Sequence, residues 1–244
     1  MKLKDYSTSL NILKLDKSIK VNYGVKLPQA MGFEVKGNDF INLFLPYLTI
    51  CVDSREQDTW VQDACGYFGI KYELAVKDKK AHTENLKEGD ITFKITFGNK
   101  EYNYTNIAHY ERKGCASEFC NNVMADRQRI EAEFERQLEK GYRKFVLVLE
   151  FGDKPTDLID YKFSYYAKGG NLITKSCGQT VYATVCSWIQ PNKYAFDLIM
   201  CDTQFNSKLM RSRARSKLLW LILYDMYYFF RQEIRLEAAR VTEE

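Results

Sequence analysis

The stretch DITFKITFGNKEYNYTNIAHYERK, residues 90–113, decides how this chain is read. DITFKITFG (90–98) alternates apolar and polar side chains, the period of a half-buried strand. Asn99 and Lys100 supply the turn, and EYNYTNIAHYERK (101–113) reads as the returning strand of a β-hairpin. Pairing about Asn99 sets Asp90 opposite roughly position 109–110, within one residue of the level of Glu111. Glu111 and Lys113 lie two apart on an extended segment and share a face. The hairpin therefore permits Asp90, Glu111 and Lys113 to meet.

The flanking segments extend the same architecture. YLTICVD (47–53) is a buried strand rich in β-formers that ends at Asp53. SREQDTWVQDACGYFG (54–69) reads as a helix stopping near Gly66 and Gly69, and IKYELAV (70–76) as another strand. From Glu118 to Gly141 the spacing predicts one helix, with Phe119, Val123, Ile130, Phe134 and Leu138 on its core face. RKFVLVLE (143–150) is a second buried strand, and residues 152–178 an irregular insertion. A helix over 180–190, a strand over 194–201 and a long helix over 207–237 follow. This order predicts an α/β fold with a central mixed sheet and helices on both faces. Residues 1–46 are expected as an N-terminal extension, and residues 47–244 as one domain carrying the insertion.

Composition narrows the chemistry. Across 244 residues, 45% are hydrophobic and 14% aromatic, which excludes disorder and supports a sizeable core. Two histidines, His82 and His109, leave little room for a Ser-His-Asp triad or a His-metal nuclease. The seven cysteines contain no C-x-x-C pair and have no histidine in zinc-ligand register, so they read as reduced, buried, small apolar groups in a cytosol-like compartment. The longest apolar run, LLWLILYDMYYFF (218–230), is short and interrupted by Asp225, so it is expected as a buried helix and no membrane partner is expected. A net charge of +4 permits a nucleic-acid partner without demanding one.

Asp53, Asp90 and Glu111 are carboxylates at strand ends or on strand faces, with Lys113 beside them. Two or three such oxygens suit Mg²⁺ or Mn²⁺, hard cations that keep several waters. The metal would polarise a phosphoryl oxygen, and the lysine would position the attacking water and offset charge on the phosphorane. An outward strand face accounts for Glu111 and Lys113 almost equally well on this pattern alone.

CVDSRE (51–56), GD (89–90), YERKG (110–114), DRQRIEAEFERQ (126–137) and GYRKFVLVLE (141–150) occur in that order. Together they resemble the nuclease domain of the XPF family of structure-specific endonucleases, a restriction-endonuclease-like fold. The likeness is close over about 47–150 and loose over 180–235. The resemblance implies Asp53, Asp90 and Glu111 as metal ligands, Lys113 as the catalytic lysine, and Arg55 and Arg112 as active-site arginines. Those arginines would contact phosphate or hold carboxylates in place. Glu150 is expected to act structurally, at a strand end. Ser117 stands where the family has an aspartate four places after the lysine, and Glu118 adjoins it.

The resemblance further implies a compact, nuclease-only version of the kind found in phages and mobile elements, cytoplasmic in its host. It also implies a homodimer, for which the aromatic 218–230 helix is the expected interface. The run KLMRSRARSK (208–217) brings five positive charges, Lys208, Arg211, Arg213, Arg215 and Lys217. It reads either as a solvated helix face or as a patch that tracks DNA phosphates without sequence preference. The function expected is a metal-dependent endonuclease for branched, flap or junction DNA. The alternative is a non-catalytic DNA-binding partner subunit of a nuclease complex.

Overall fold

The computed structural model describes residues 37–55, 61–62, 65–66, 69–75, 86, 89–166, 169–201 and 208–242. In chain order the elements are α1 (Gly37–Phe44), β1 (Leu48–Asp53), β2 (Lys71–Ala75), β3 (Ile91–Phe97), β4 (Lys100–Asn103), β5 (Ala108–Lys113), α2 (Ala116–Ala125), α3 (Arg127–Glu139), β6 (Lys144–Leu149), α4 (Pro155–Ile159), β7 (Lys162–Tyr166), β8 (Leu172–Ser176), α5 (Gly178–Trp188), β9 (Asp197–Met200) and α6 (Lys208–Thr242). The chain divides into two compact units. One comprises residues 1–86, 91–105 and 215–244, and the other residues 87–90 and 106–214. Most of the helix expected over 54–69 and the loop carrying His82 lie outside the described residues.

In the first unit, β1 pairs in parallel with β2 and antiparallel with β3, and β3 pairs antiparallel with β4. All six residues of β1 are buried, as the run LTICVD requires of a strand covered on both faces. Phe40 and Phe44 of α1 close on Phe230 of α6 with ring centroids 6.1 and 4.9 Å apart, and Phe97 and Tyr102 join them. Burial of each such ring contributes roughly 1.5–3 kcal/mol. Residues 37–44, expected within an extension, thus form part of this core.

The apolar face of 218–230 is also spent inside the chain. Leu219, Ile222, Leu223, Met226 and Phe230 are buried, while Tyr224 and Tyr228 of the same run are exposed. Among the described residues, no helix is long and apolar enough to cross a membrane.

The second unit holds a parallel sheet ordered β5-β6-β9 and a separate antiparallel ribbon, β7–β8. Parallel neighbours need long connections, and α2 and α3 supply the one between β5 and β6. Phe119, Val123, Phe134, Leu147, Val185 and Trp188 are central to its core. The α/β class with mixed strand pairing is therefore what the structure holds.

Three local readings differ. The strand expected over 101–113 is two strands: Thr105 N–H donates to Asn103 Oδ1 at 2.9 Å, a side-chain turn that ends β4 before β5 begins. The helix expected over 118–141 breaks at Asp126, which leaves the helical region at φ −109°, ψ 21°. Its carbonyl restarts the ladder by accepting from Arg129 and Ile130 N–H, in keeping with the weak helix preference of aspartate. The face of α3 then buries Gln137, not Leu138, which is 45% exposed. The insertion is also ordered in part, as α4 and the β7–β8 ribbon.

None of the seven cysteines is in a disulfide, and five of them are buried. Burial is the main cause that pushes Cys51, Cys65 and Cys120 up to about 12, so these thiols stay protonated and inert.

Candidate active site

The second unit brings Asp90, Glu111 and Lys113 together, through backbone geometry that starts at Gly89. Gly89 has φ +69°, and a Cβ there would stand 2.9 Å from His109 Nδ1, so both conformation and space demand glycine. Asp90 N–H then donates to Tyr110 C=O at 3.0 Å, the level expected from the hairpin arithmetic. The Asp90 carboxylate turns onto the next strand position, where Oδ2 accepts from Arg112 N–H at 2.7 Å. It is thereby tied to the residue between Glu111 and Lys113.

Lys113 Nζ donates to Glu111 Oε1 at 2.7 Å, and both side chains are about one-sixth exposed (16% and 15%). Burial by itself would lower the Lys113 ammonium. The Glu111 carboxylate, its hydrogen bond, and the charges of Asp90 and Glu118 outweigh that and raise it above the ordinary lysine value. Lys113 is therefore held as a cation by its carboxylate partner. Glu118 itself is exposed in the first turn of α2, where its N–H donates to Cys115 Sγ at 3.4 Å. Ser117 Oγ stands 3.3 Å from Cys115 Sγ.

A cleft of about 20 Å³ opens beside this pair, lined by Glu111 and Lys113 and, from α3, by Arg129 and Glu133. That is room for about one water. Arg129 and Glu133 escaped individual notice in the sequence. Their four-residue spacing in RIEAE, on the face adjoining Ile130 and Phe134, is the signal that could have placed them.

Arg112 points the other way. Its Nε and NH2 close on the two oxygens of Glu150 at 2.6 and 3.0 Å, with both side chains at most 5% exposed. Of the two roles open to it, phosphate contact or holding a carboxylate, its fork makes the second.

Asp53 and Arg55 belong to the first unit. Asp53 Oδ1 accepts from Arg55 N–H and Nε–H, and Oδ2 from NH2, all at 2.8 Å. Burial alone would raise the Asp53 carboxyl, but these Arg55 bonds hold it below the ordinary aspartate value. The Arg55 side chain is 69% exposed, so this clamp is hinged on solvent. The basic run opens α6. Lys217 is exposed, while the side chains of Lys208, Arg211, Arg213 and Arg215 lie outside the described residues.

Among the described residues, no three His, Cys, Asp or Glu side chains are grouped to hold a metal. Asp90 and Glu111 offer hard oxygen donors, a set that fits a small divalent cation completing its shell with water.

No protein-family model matches the chain, and no curated protein matches it. Among solved structures it is similar to XPF from Aeropyrum pernix at 17% identity and TM-score 0.39, over 70% of this chain and 65% of that one. It is likewise similar to XPF from Aeropyrum pernix in complex with DNA, at 16% identity and TM-score 0.38, over 70% and 64%. The chain thus spans less than two-thirds of the length of either.

Proposed function

We propose that this chain is a metal-dependent DNA endonuclease of the XPF type that hydrolyses phosphodiester bonds at branched, flap or junction structures. The observation that supports this most is the Glu111–Lys113 pair at 2.7 Å beside a one-water cleft, with Asp90 tied to the intervening residue. Asp90 and Glu111 would hold Mg²⁺ or Mn²⁺, and Asp53 is the third carboxylate of the sequence pattern. When bound, the cation supplies Lewis acidity to the phosphoryl oxygen. Lys113, kept charged, orients the attacking water and offsets charge on the phosphorane, while Arg129 adds a second cation at the same cleft. The basic run opening α6 tracks phosphates and reads no bases. Homodimer formation is retained as part of the proposal, through a surface other than the buried face of α6.

A second reading, a DNA-binding partner subunit without catalysis, draws on two observations. Both oxygens of Asp53 are closed by Arg55, and Ser117 replaces an expected carboxylate. Incubating the purified chain with duplex, single-stranded, flap and four-way DNA separates the two. Cleavage with Mg²⁺ or Mn²⁺ that stops on chelation supports the endonuclease. Binding without cleavage under every metal condition overturns it in favour of the partner subunit.

A further inference from the structure

A second cavity of the same unit, about 110 Å³, lies at the C-terminal end of α3 and is lined by Phe134, Gln137, Tyr142, Arg143, Phe145 and Tyr194 among others. Gln137 is 3% exposed, yet both its amide oxygen and its amide nitrogen are buried without a hydrogen-bond partner. A buried carboxamide left open at both ends costs roughly 1–3 kcal/mol per unmet group, so an apolar side chain here would be the better structural choice. The register of α3 puts it there: Gln137 continues the buried series from Ile130 and Phe134. The remaining wall is aromatic. Phe134 meets Phe145 at 5.3 Å and Tyr194 at 5.1 Å, and Arg143 is exposed at the rim.

A carboxamide presents one donor beside one acceptor, the complement of the edge of a nucleobase. Aromatic walls stack on the base face, and an exposed arginine meets the phosphate that follows it. In size the cavity admits no more than a single six-membered ring, since an engineered cavity of about 150 Å³ holds one benzene. We propose that this cavity is a pocket for a pyrimidine nucleotide, in which the Gln137 amide, buried in the empty protein, turns toward the ring to pair with the base edge and Arg143 binds the phosphate. The nucleotide is either an unpaired residue of a DNA strand or a free mononucleotide. The strand form rests on the DNA-binding reading above, and the free form does not.

The test is titration of the full chain, in chelator and without divalent cation, with a thymidine pentamer, an abasic pentamer of the same length, and thymidine monophosphate. The pocket predicts that wild type binds the thymidine pentamer at least about tenfold more tightly than the abasic one, the scale of one stacked and paired base. Gln137→Met should remove that difference while leaving abasic binding unchanged, and its thermal midpoint should equal or exceed that of wild type. Arg143→Gln, a change at an exposed position, should weaken every ligand that retains affinity. Thymidine monophosphate binding as tightly as the pentamer identifies the free nucleotide, and pentamer binding alone identifies the strand. Equal affinity for thymidine and abasic pentamers, or an unchanged Gln137→Met, overturns the pocket. Because no metal is present, either failure leaves the cleavage test standing, and a failure to cleave leaves the monophosphate titration standing.

Discussion

Two faces of β5 carry nearly the same residues to opposite ends. On one, Arg112 closes both forks on Glu150 and neither is more than 5% exposed. On the other, Glu111 and Lys113 meet through a single pair of atoms, remain about one-sixth exposed, and line a cleft. A buried, bidentate ion pair recovers the cost of removing two charges from water only through complete mutual satisfaction. The open pair keeps hydrogen-bonding capacity in reserve, which a structural pair has no use for. Completeness of satisfaction, more than charge itself, separates the closed face from the open one.

The largest expected effect falls on the closed face. Glu150→Ala removes the carboxylate that the buried Arg112 guanidinium donates to through two nitrogens, and should lower unfolding free energy by about 3–5 kcal/mol, read from urea denaturation. Replacing both members with apolar residues, Arg112→Met with Glu150→Leu, should recover most of that loss. On the open face, Lys113→Met should cost less than about 1 kcal/mol in stability, since its partner Glu111 can turn to solvent. Under the endonuclease reading the same change should slow cleavage on the order of 10²–10³-fold in single-turnover assays.

A smaller effect sharpens the contrast with an ion pair of intermediate exposure. Glu131 Oε1 accepts from the Trp188 indole N–H at 2.7 Å and pairs with Arg127 and Lys193. Burial would raise this carboxyl, but those partners hold it below the ordinary glutamate value. With the folded value depressed, the unfolded chain binds more protons through that window. The stabilisation is complete above the ordinary glutamate range, about pH 4.3, and fades as pH falls through the folded value. Glu131→Gln should therefore lower stability near neutral pH by up to about 1 kcal/mol and flatten the acid limb, the two proteins converging as pH falls through the folded value.

Much of this was legible in the chain because it rests on period and turn chemistry. The alternation of ITFKITF marked β3, and the level expected for Asp90, roughly 109–110, includes Tyr110, where its N–H bonds, although the register about the turn, Phe97 opposite Lys100, would by itself set Asp90 opposite position 107. The two-residue spacing of Glu111 and Lys113 likewise became a contact. What stayed hidden depends on competition between local and distant partners. The Asn103 side-chain turn splits a strand whose sequence looks continuous, and Asp126 splits a helix whose apolar spacing runs through the break. Gln137 was passed over for Leu138 because polarity argues against burial, and the structure buries it nonetheless. The direction of Arg112 could not be read, since a strand residue between two site residues faces away only once its far partner, Glu150, is known.

The most direct test sets the two faces against each other in one experiment: cleavage of branched DNA with Mg²⁺ by Glu111→Gln and by the Arg112→Met/Glu150→Leu double variant, with folding and DNA binding measured alongside. The account predicts that Glu111→Gln folds, binds DNA and loses at least about a hundredfold in rate, whereas the double variant folds and cuts within about tenfold of wild type. A folded double variant that is inactive, beside a Glu111→Gln that cuts at the wild-type rate, would contradict it.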